Sequence, residues 1–300
     1  MTDIYMHGQI LGTHSFYLKN GFLEPDEYSE LSAKYFLPGG ETGTAATVLS
    51  SLGVNVKIDG TIIGTEVAPM LKEFYKDKSV DLSSVTFDPE YTGLMDYVVI
   101  GGLVRSPMGT FGALYEPGAK RRWAMPKEED IKNAKVIGID PFFLEATQCA
   151  AELCVKHNKN FVTIDCDHTQ YLHEHCAINV VSKECLNSKY KNEVREEVFK
   201  KLVSTTDGLV IITSGEKEML YGRRGEPMKK MKPFKVEVKS TLGAGDTFKA
   251  GCLYGLLNGM NDDEIVRFAS ACSAVAISRF PLPLNPPTLD EVKEILKGKC

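Results

Sequence analysis

The chain has 300 residues, 43% of them hydrophobic and 25% charged, with 35 Lys and Arg against 40 Asp and Glu for a formal net charge of −5. That balance suits a globular chain with a sizeable core and excludes a disordered, collagenous or rod-like one. There is no long basic stripe for nucleic acid, no apolar run near the ~20 residues a membrane span needs, and no basic-then-apolar leader after Met1-Thr2-Asp3-Ile4-Tyr5. Eight cysteines, five of them between 149 and 185 and none before 149, read as reduced thiols of a cytoplasmic protein. Cys252 and Cys272 sit among apolar residues and read as small core fillers.

Along the chain, residues 14–37 hold two strand-like pieces, Ser15-Phe16-Tyr17-Leu18 and Tyr35-Phe36-Leu37, around a loop. Pro38-Gly39-Gly40-Glu41-Thr42-Gly43-Thr44-Ala45-Ala46 leads into a helix ending at Leu52-Gly53. Its small residues let a helix start approach a ligand closely, or form a plain Gly-rich turn before a packed helix. Residues 95–123 combine Val98 to Val104, a loop at Ser106-Pro107-Met108-Gly109, Phe111 to Tyr115 and a turn at Glu116-Pro117-Gly118. Both segments read as antiparallel ribbon, either a small sheet that lids a cleft or two surface hairpins.

Val98-Val99-Ile100, Val136 to Ile139, Phe161 to Ile164 and Leu209 to Ile212 are short and β-branched, as in strands buried on both faces of a parallel sheet. Helical spacing marks 145–157, and also 192–202, where Val194, Val198 and Leu202 share a face. The alternation predicts a single α/β domain over 1–300, a doubly wound, mostly parallel sheet flanked by helices, with a small antiparallel β lid from about 14–37 and 95–123. Near the end, Pro281-Leu282-Pro283 and Asn285-Pro286-Pro287 make a stiff connector into a last helix over 289–296.

The strongest local signal is Ser240-Thr241-Leu242-Gly243-Ala244-Gly245-Asp246-Thr247-Phe248, after a strand-like Phe234 to Val238. It opens a helix whose Phe248, Cys252 and Leu256 repeat at intervals of four. Successive N–H groups at such a turn, with the helix N-terminus, make an anion pocket, and Asp246 places a carboxylate beside it. Phosphoryl transfer needs that pair, a cradle for negative charge and a base for the attacking hydroxyl. The alternative is an ordinary N-cap after a glycine turn. A dinucleotide fingerprint fails because Phe248 stands where its last Gly belongs, and no G-x-x-x-x-G-K-[ST] string occurs.

These two Gly-rich segments resemble the signatures of the ribokinase-like carbohydrate kinases, the PfkB family. Met6-His7-Gly8-Gln9-Ile10-Leu11 resembles that family's first strand and turn, and Ile212-Thr213-Ser214-Gly215-Glu216-Lys217 its nucleotide-side strand and turn. The resemblance implies an ATP-dependent kinase using Mg2+, with Asp246 as catalytic base and the Gly243-Ala244-Gly245 backbone as anion hole. Thr213 and Gly215 are then nucleotide neighbours, with Lys183 and Ser270 added to that set. Val181-Ser182-Lys183-Glu184 stands where many members have Asn-x-x-Glu and looks more like the ketohexokinase branch; Glu184 then acts on the magnesium water shell. A homodimer through the lid is also implied, and Phe16, Leu18, Tyr35 and Leu37 would support it or else cover the cleft.

The acceptor half departs from the family pattern. Thr13 stands at the family's sugar-binding Asp and Thr44 at its Asn, so the expected acceptor set is Thr13, Gly39, Gly40, Glu41 and Thr44, with His14 and Arg105 as replacement contacts. Arg279-Phe280-Pro281-Leu282 replaces the Gly-Ala of a monovalent-cation loop, which argues against potassium activation. Asp165-Cys166-Asp167-His168 with His173-Glu174-His175-Cys176 reads as a polar turn or, less simply, a zinc site. Asp140 before Pro141 reads as a helix N-cap with Pro at the first helical position, or as a ligand-side carboxylate at a strand end. The expected function is transfer of the γ-phosphate of ATP to a hydroxyl of a sugar, polyol or sugar-like small molecule. The alternatives are a nucleoside or hydroxymethyl-heterocycle kinase and a non-catalytic metabolite binder on the same scaffold.

Overall fold

The computed structural model describes residues 2–22, 24 and 26–298. Thirteen strands and ten α-helices lie along them. The first half holds β1 (Ile4–Gly8), β2 (Leu11–Leu18), β3 (Leu31–Gly39), α1 (Glu41–Ser51), β4 (Val56–Gly60), α2 (Val67–Tyr75), β5 (Val80–Asp81), β6 (Met95–Gly101), β7 (Val104–Gly109), α3 (Glu128–Asn133), β8 (Val136–Ile139) and α4 (Leu144–Lys156). The second half holds β9 (Phe161–Ile164), α5 (Tyr171–His175), β10 (Ile178–Val181), α6 (Lys183–Lys189), α7 (Arg195–Ser204), β11 (Leu209–Ile212), β12 (Met219–Gly222), β13 (Lys229–Met231), α8 (Ala244–Leu257), α9 (Asp262–Ile277) and α10 (Leu289–Leu296).

Nine strands form one sheet in the order β13-β12-β11-β10-β9-β8-β1-β4-β5, with every pair parallel except β11–β12 and β12–β13. The two-residue period of a strand explains why helices must cover both faces. Ile4, Met6, Ile58, Val136 and Val162 turn one way into a core shared with α1, α8 and α9. Tyr5, Ile137, Ile139 and Phe161 turn the other way onto α3 and α4, and Val181, Val210 and Ile212 onto α6 and α7. Chain order reverses at β1, which lies between β4 and β8, so a crevice opens beyond the carboxyl ends of these strands.

The second sheet, in the order β3-β2-β6-β7, comes from the two ribbon segments. Its outer pairs are antiparallel, while the central β2–β6 pair is parallel, with Thr13 opposite Asp96. Four local expectations are corrected. Val98-Val99-Ile100 belongs to this small sheet and not to the main one; Val98 and Ile100 are buried, but Val99 is only half-buried. Phe111 to Tyr115 is a 3-10 helix, and Phe234 to Val238 runs extended with no strand partner. Val194 precedes α7 and is 64% exposed, while Val198 and Leu202 are buried. The helix starts one residue later than the apolar spacing suggests, so the stripe loses its first member.

The seven described cysteines are unpaired; Cys252 and Cys272 are fully buried fillers between α8 and α9, and Cys300 lies outside the described residues. No helix among the described residues is long and apolar enough to cross a membrane.

Candidate active site at the switch point

The bend before α8 is held by Gly243, whose φ of 78° is left-handed. A Cβ there would also stand 2.6 Å from Leu282 Cδ2 and 3.1 Å from Thr44 Cγ2, so both conformation and space require glycine. Past it, Ala244 N–H reaches Thr241 O and Thr247 N–H reaches Gly243 O, whereas the N–H groups of Gly245 and Asp246 have no backbone acceptor among the described residues. Unpaired first-turn donors at the positive end of a helix are what an anionic oxygen requires.

Asp246 lines a cavity of about 210 Å³ together with Gln9, Thr13, Gly39, Gly40, Glu41, Thr44, Asp96, Arg105 and Gly243. Five of the expected acceptor residues and two of the expected catalytic ones therefore meet in one place. The Asp246 carboxyl is pushed up to about 6, chiefly by burial; Lys249 opposes the rise, Asp140 adds to it, Arg105 opposes it and Asp165 adds to it. Glu41 opens α1, and its carboxyl is raised well above the usual carboxylate range, first by burial and then by the neighbouring Asp246 and Asp140 charges. Its Oε2 is buried without a partner.

The small sheet brings further polar side chains to the cavity. Asp96 enters from β6 opposite Thr13, with its Oδ1 buried and unpartnered and its carboxyl raised mainly by burial. A carboxylate therefore reaches the cavity from the strand next to Thr13. Arg105 enters from β7, and its side chain makes no hydrogen bond or ion pair within the described residues. His14 does not contribute. Strand alternation turns it to the opposite face of the small sheet, stacked 4.2 Å from Phe36 and 5.1 Å from Tyr97. Phe280, from the segment that replaces the cation loop, lines the cavity and packs on Tyr17 and Tyr35 of the small sheet.

Asp140 corrects the N-cap reading. α4 begins at Leu144, and Thr147 serves its start by accepting Phe143 N–H at 2.9 Å and donating to Asp140 O at 3.0 Å. The Asp140 carboxylate instead accepts Gln9 N–H and the Thr42 hydroxyl, each at 2.8 Å, and pairs with Lys249. Both side chains of that ion pair are fully buried. A Cβ on Gly8 would stand 1.9 Å from Asp140 Oδ2, so the end of β1 must be glycine for the carboxylate to lie there. Sequence reasoning missed Lys249, although a signal existed. It is the lone charged residue between Asp246 and Asp262, in the middle of an apolar helix.

The remaining site residues lie along the ends of β10 and β11. Ser182 caps α6 by accepting Cys185 N–H at 3.0 Å, and Asp165 receives both its N–H and its hydroxyl. Lys183 and Glu184 then stand exposed in the first turn of α6. Thr213 is tied to Val181 O through its N–H at 2.9 Å, next to Ser214 and the left-handed Gly215. Lys183, Ser214 and Lys217 border a second cavity of about 550 Å³. Ser270 lies buried within α9 and borders neither cavity. In the 165–176 cluster, the ring nitrogens of His173 bond Leu202 O and Asn179, and Cys166 and Cys176 are buried. Among the described residues, no group of three His, Cys, Asp or Glu is arranged to hold a metal.

Residues 8–282 match the family described as pfkB family carbohydrate kinase. The chain is similar to curated relatives named 5-dehydro-2-deoxygluconokinase. The one from Clostridium tetani is 24% identical, over 93% of this chain and 89% of the relative; the one from Shouchella clausii is 25% identical, over 91% and 90%. Among solved structures, a putative ribokinase from Agrobacterium tumefaciens superposes with a TM-score of 0.87 at 16% identity, covering 99% of this chain and 98% of the other. An Arabidopsis thaliana ribokinase complexed with ribose and ATP gives 0.80 at 17%, covering 99% of each chain. A putative ribokinase II from E. coli in complex with ATP and Mg2+ gives 0.80 at 16%, covering 99% and 100%.

Proposed function

The chain belongs to the pfkB family of carbohydrate kinases, phosphotransferases with an alcohol acceptor, and from that premise we propose that it moves the γ-phosphate of ATP onto a hydroxyl of a sugar or sugar acid seated between α8 and the small sheet. The observation that carries this reading is the placement of Asp246. Its carboxylate lines the cavity at the start of α8, beside two unpaired N–H groups. Asp246 takes the hydroxyl proton while the acceptor oxygen bonds to the γ-phosphorus and the bond to the β-bridging oxygen breaks, releasing ADP. The Gly243 to Asp246 backbone faces the transferring group and stabilises the charge on it.

On the nucleotide side, the donors present suit a polyphosphate. Lys183 and Lys217 carry no ion-pair partner within the described residues, and both border the cavity beside Ser214. Thr213 and Gly215 flank Ser214 on that side, Ser270 lies buried within α9 away from both cavities and takes no part, and Glu184 is the residue that would face the water shell of Mg2+. When bound, Mg2+ supplies neutralising charge to the phosphates. The small sheet acts as a lid that keeps water from the reacting groups, since Thr13, Asp96 and Arg105 reach the cavity from it.

The acceptor class follows from the polar lining. Asp96 and Glu41 offer unpartnered oxygens to hydroxyl donors, and Arg105 offers an unpaired guanidinium fork to a carboxylate or carbonyl. The relatives' names point to a gluconate-derived acceptor for those proteins, which agrees with a guanidinium in this position.

An ATP-consumption screen over sugars, sugar acids, polyols, inositols and nucleosides tests the reading. ADP release with a sugar or sugar acid is the expected result. Turnover confined to nucleosides overturns the acceptor class, and binding of a metabolite without ADP release overturns the kinase. With the acceptor in hand, Asp96→Asn raises its KM about 10-fold or more, the loss of a hydrogen bond to a charged group, and leaves the ATP KM within about twofold.

A further inference from the structure

Asp246 does not sit alone with its substrate. Lys249 follows it by three residues on α8, hence on the same face of the helix. Lys249 is fully buried, and its ammonium is paired with an equally buried Asp140 at the end of β8. Asp140 also accepts Gln9 N–H from the turn after β1 and the Thr42 hydroxyl from α1, next to Glu41. One carboxylate therefore ties together three of the segments that build the acceptor cavity, and it holds a cation one helical turn behind the base.

We propose that Lys249 is a positioning residue for phosphoryl transfer: held in place by Asp140, its buried ammonium keeps the neighbouring Asp246 carboxylate ionised and ready to accept the hydroxyl proton. The inference rests on Asp246 being the base. The charge count around Asp246 gives the physical reason. Glu41 faces it from α1, Asp140 from the end of β8, Asp165 from the end of β9, Arg105 from β7 and Lys249 from its own helix, with the buried His7 of β1 beside Asp140. Asp140 and Asp165 oppose ionisation of Asp246, and the Asp246 charge in turn raises Glu41. Arg105 belongs to the small sheet and lies half-buried at the rim, so Lys249 is the cation fixed within the main domain. In a water-poor site each of these charges acts strongly.

Opposite charges at positions 249 and 140 give the proposal a signature that a packing role lacks. The acidic limb of the pH profile of kcat/KM is measured for the full-length enzyme with its best acceptor. Lys249→Met moves the limb to higher pH, by about one unit or more. Asp140→Asn, whose amide oxygen still accepts from Gln9 and Thr42, moves it to lower pH. The double variant, which removes both charges and leaves no unpaired ion, falls between them and folds even where Lys249→Met alone does not. Lys249→Arg keeps the limb near its original place. Limbs that stay put in Asp140→Asn and the double variant, or that move in the same direction in both single variants, overturn the proposal. Failure of the underlying reading looks different: Asp246→Asn then turns over normally, whatever the limbs do.

Discussion

Asp246→Asn is expected to lose about 10²–10⁴-fold in kcat while still binding ATP, because the amide preserves the shape of the first turn of α8 but cannot accept the acceptor's proton. The helix start, Gly243 and the unpaired N–H groups of Gly245 and Asp246 do not depend on that charge, so nucleotide affinity survives. Steady-state kinetics with nucleotide binding by calorimetry separates the two effects. A variant with near-normal kcat would remove Asp246 from the chemistry. The wild-type pH profile makes a linked test. Burial raises the Asp246 carboxyl to about 6, and only its ionised form acts as base, so kcat/KM falls about tenfold per pH unit below that point and is flat above it. An acidic limb near the usual carboxylate range, around pH 4, would place the base elsewhere.

Asp140→Ala is expected to destabilise the fold by about 3–5 kcal/mol, the cost of leaving one partner of a buried ion pair unmatched. Here the loss is threefold, since Lys249, Gln9 N–H and the Thr42 hydroxyl all give up their acceptor. An ordinary N-cap lost to alanine costs about 1 kcal/mol. Chemical denaturation followed by circular dichroism therefore distinguishes the two roles of this residue by magnitude. A loss near the smaller figure would mean that Lys249 finds another partner and that the pair is not a structural tie.

Much of the molecule was readable from local pattern. The β-branched runs at 136–139, 161–164 and 209–212 became buried parallel strands because a strand covered by helices on both faces must be apolar at every position. The Gly-Ala-Gly-Asp string became a left-handed bend and a helix start because glycine adopts the positive φ that the bend needs without steric cost. Glu41, Thr44, Thr13 and the Gly39-Gly40 pair came together with Asp246, since α1 and α8 both reach Asp140, just past the carboxyl end of β8, through Thr42 and Lys249. Patterns that depend on a single residue's neighbours are less legible. Val194 fits the spacing of a helix face but precedes the helix, and His14 follows Thr13 in sequence but strand alternation points it away from the cavity.

The α/β architecture, the position of the phosphate-side bend and the carboxylate at its start were legible in the chain alone, because each leaves a pattern within a few residues of sequence. The arrangement of charge around that carboxylate came from the packing. Asp96 lies 83 residues from Thr13, and Asp140 lies 109 residues from Lys249. Each looks ordinary in its own segment, a polar residue in a strand or a cap before a proline. The parallel register of β2 with β6 sets Asp96 against Thr13, and the crossing of α8 over the end of β8 buries Lys249 against Asp140. An ion's energy in a protein depends on its desolvation and on the charges within a few ångströms, and both are properties of the packed fold.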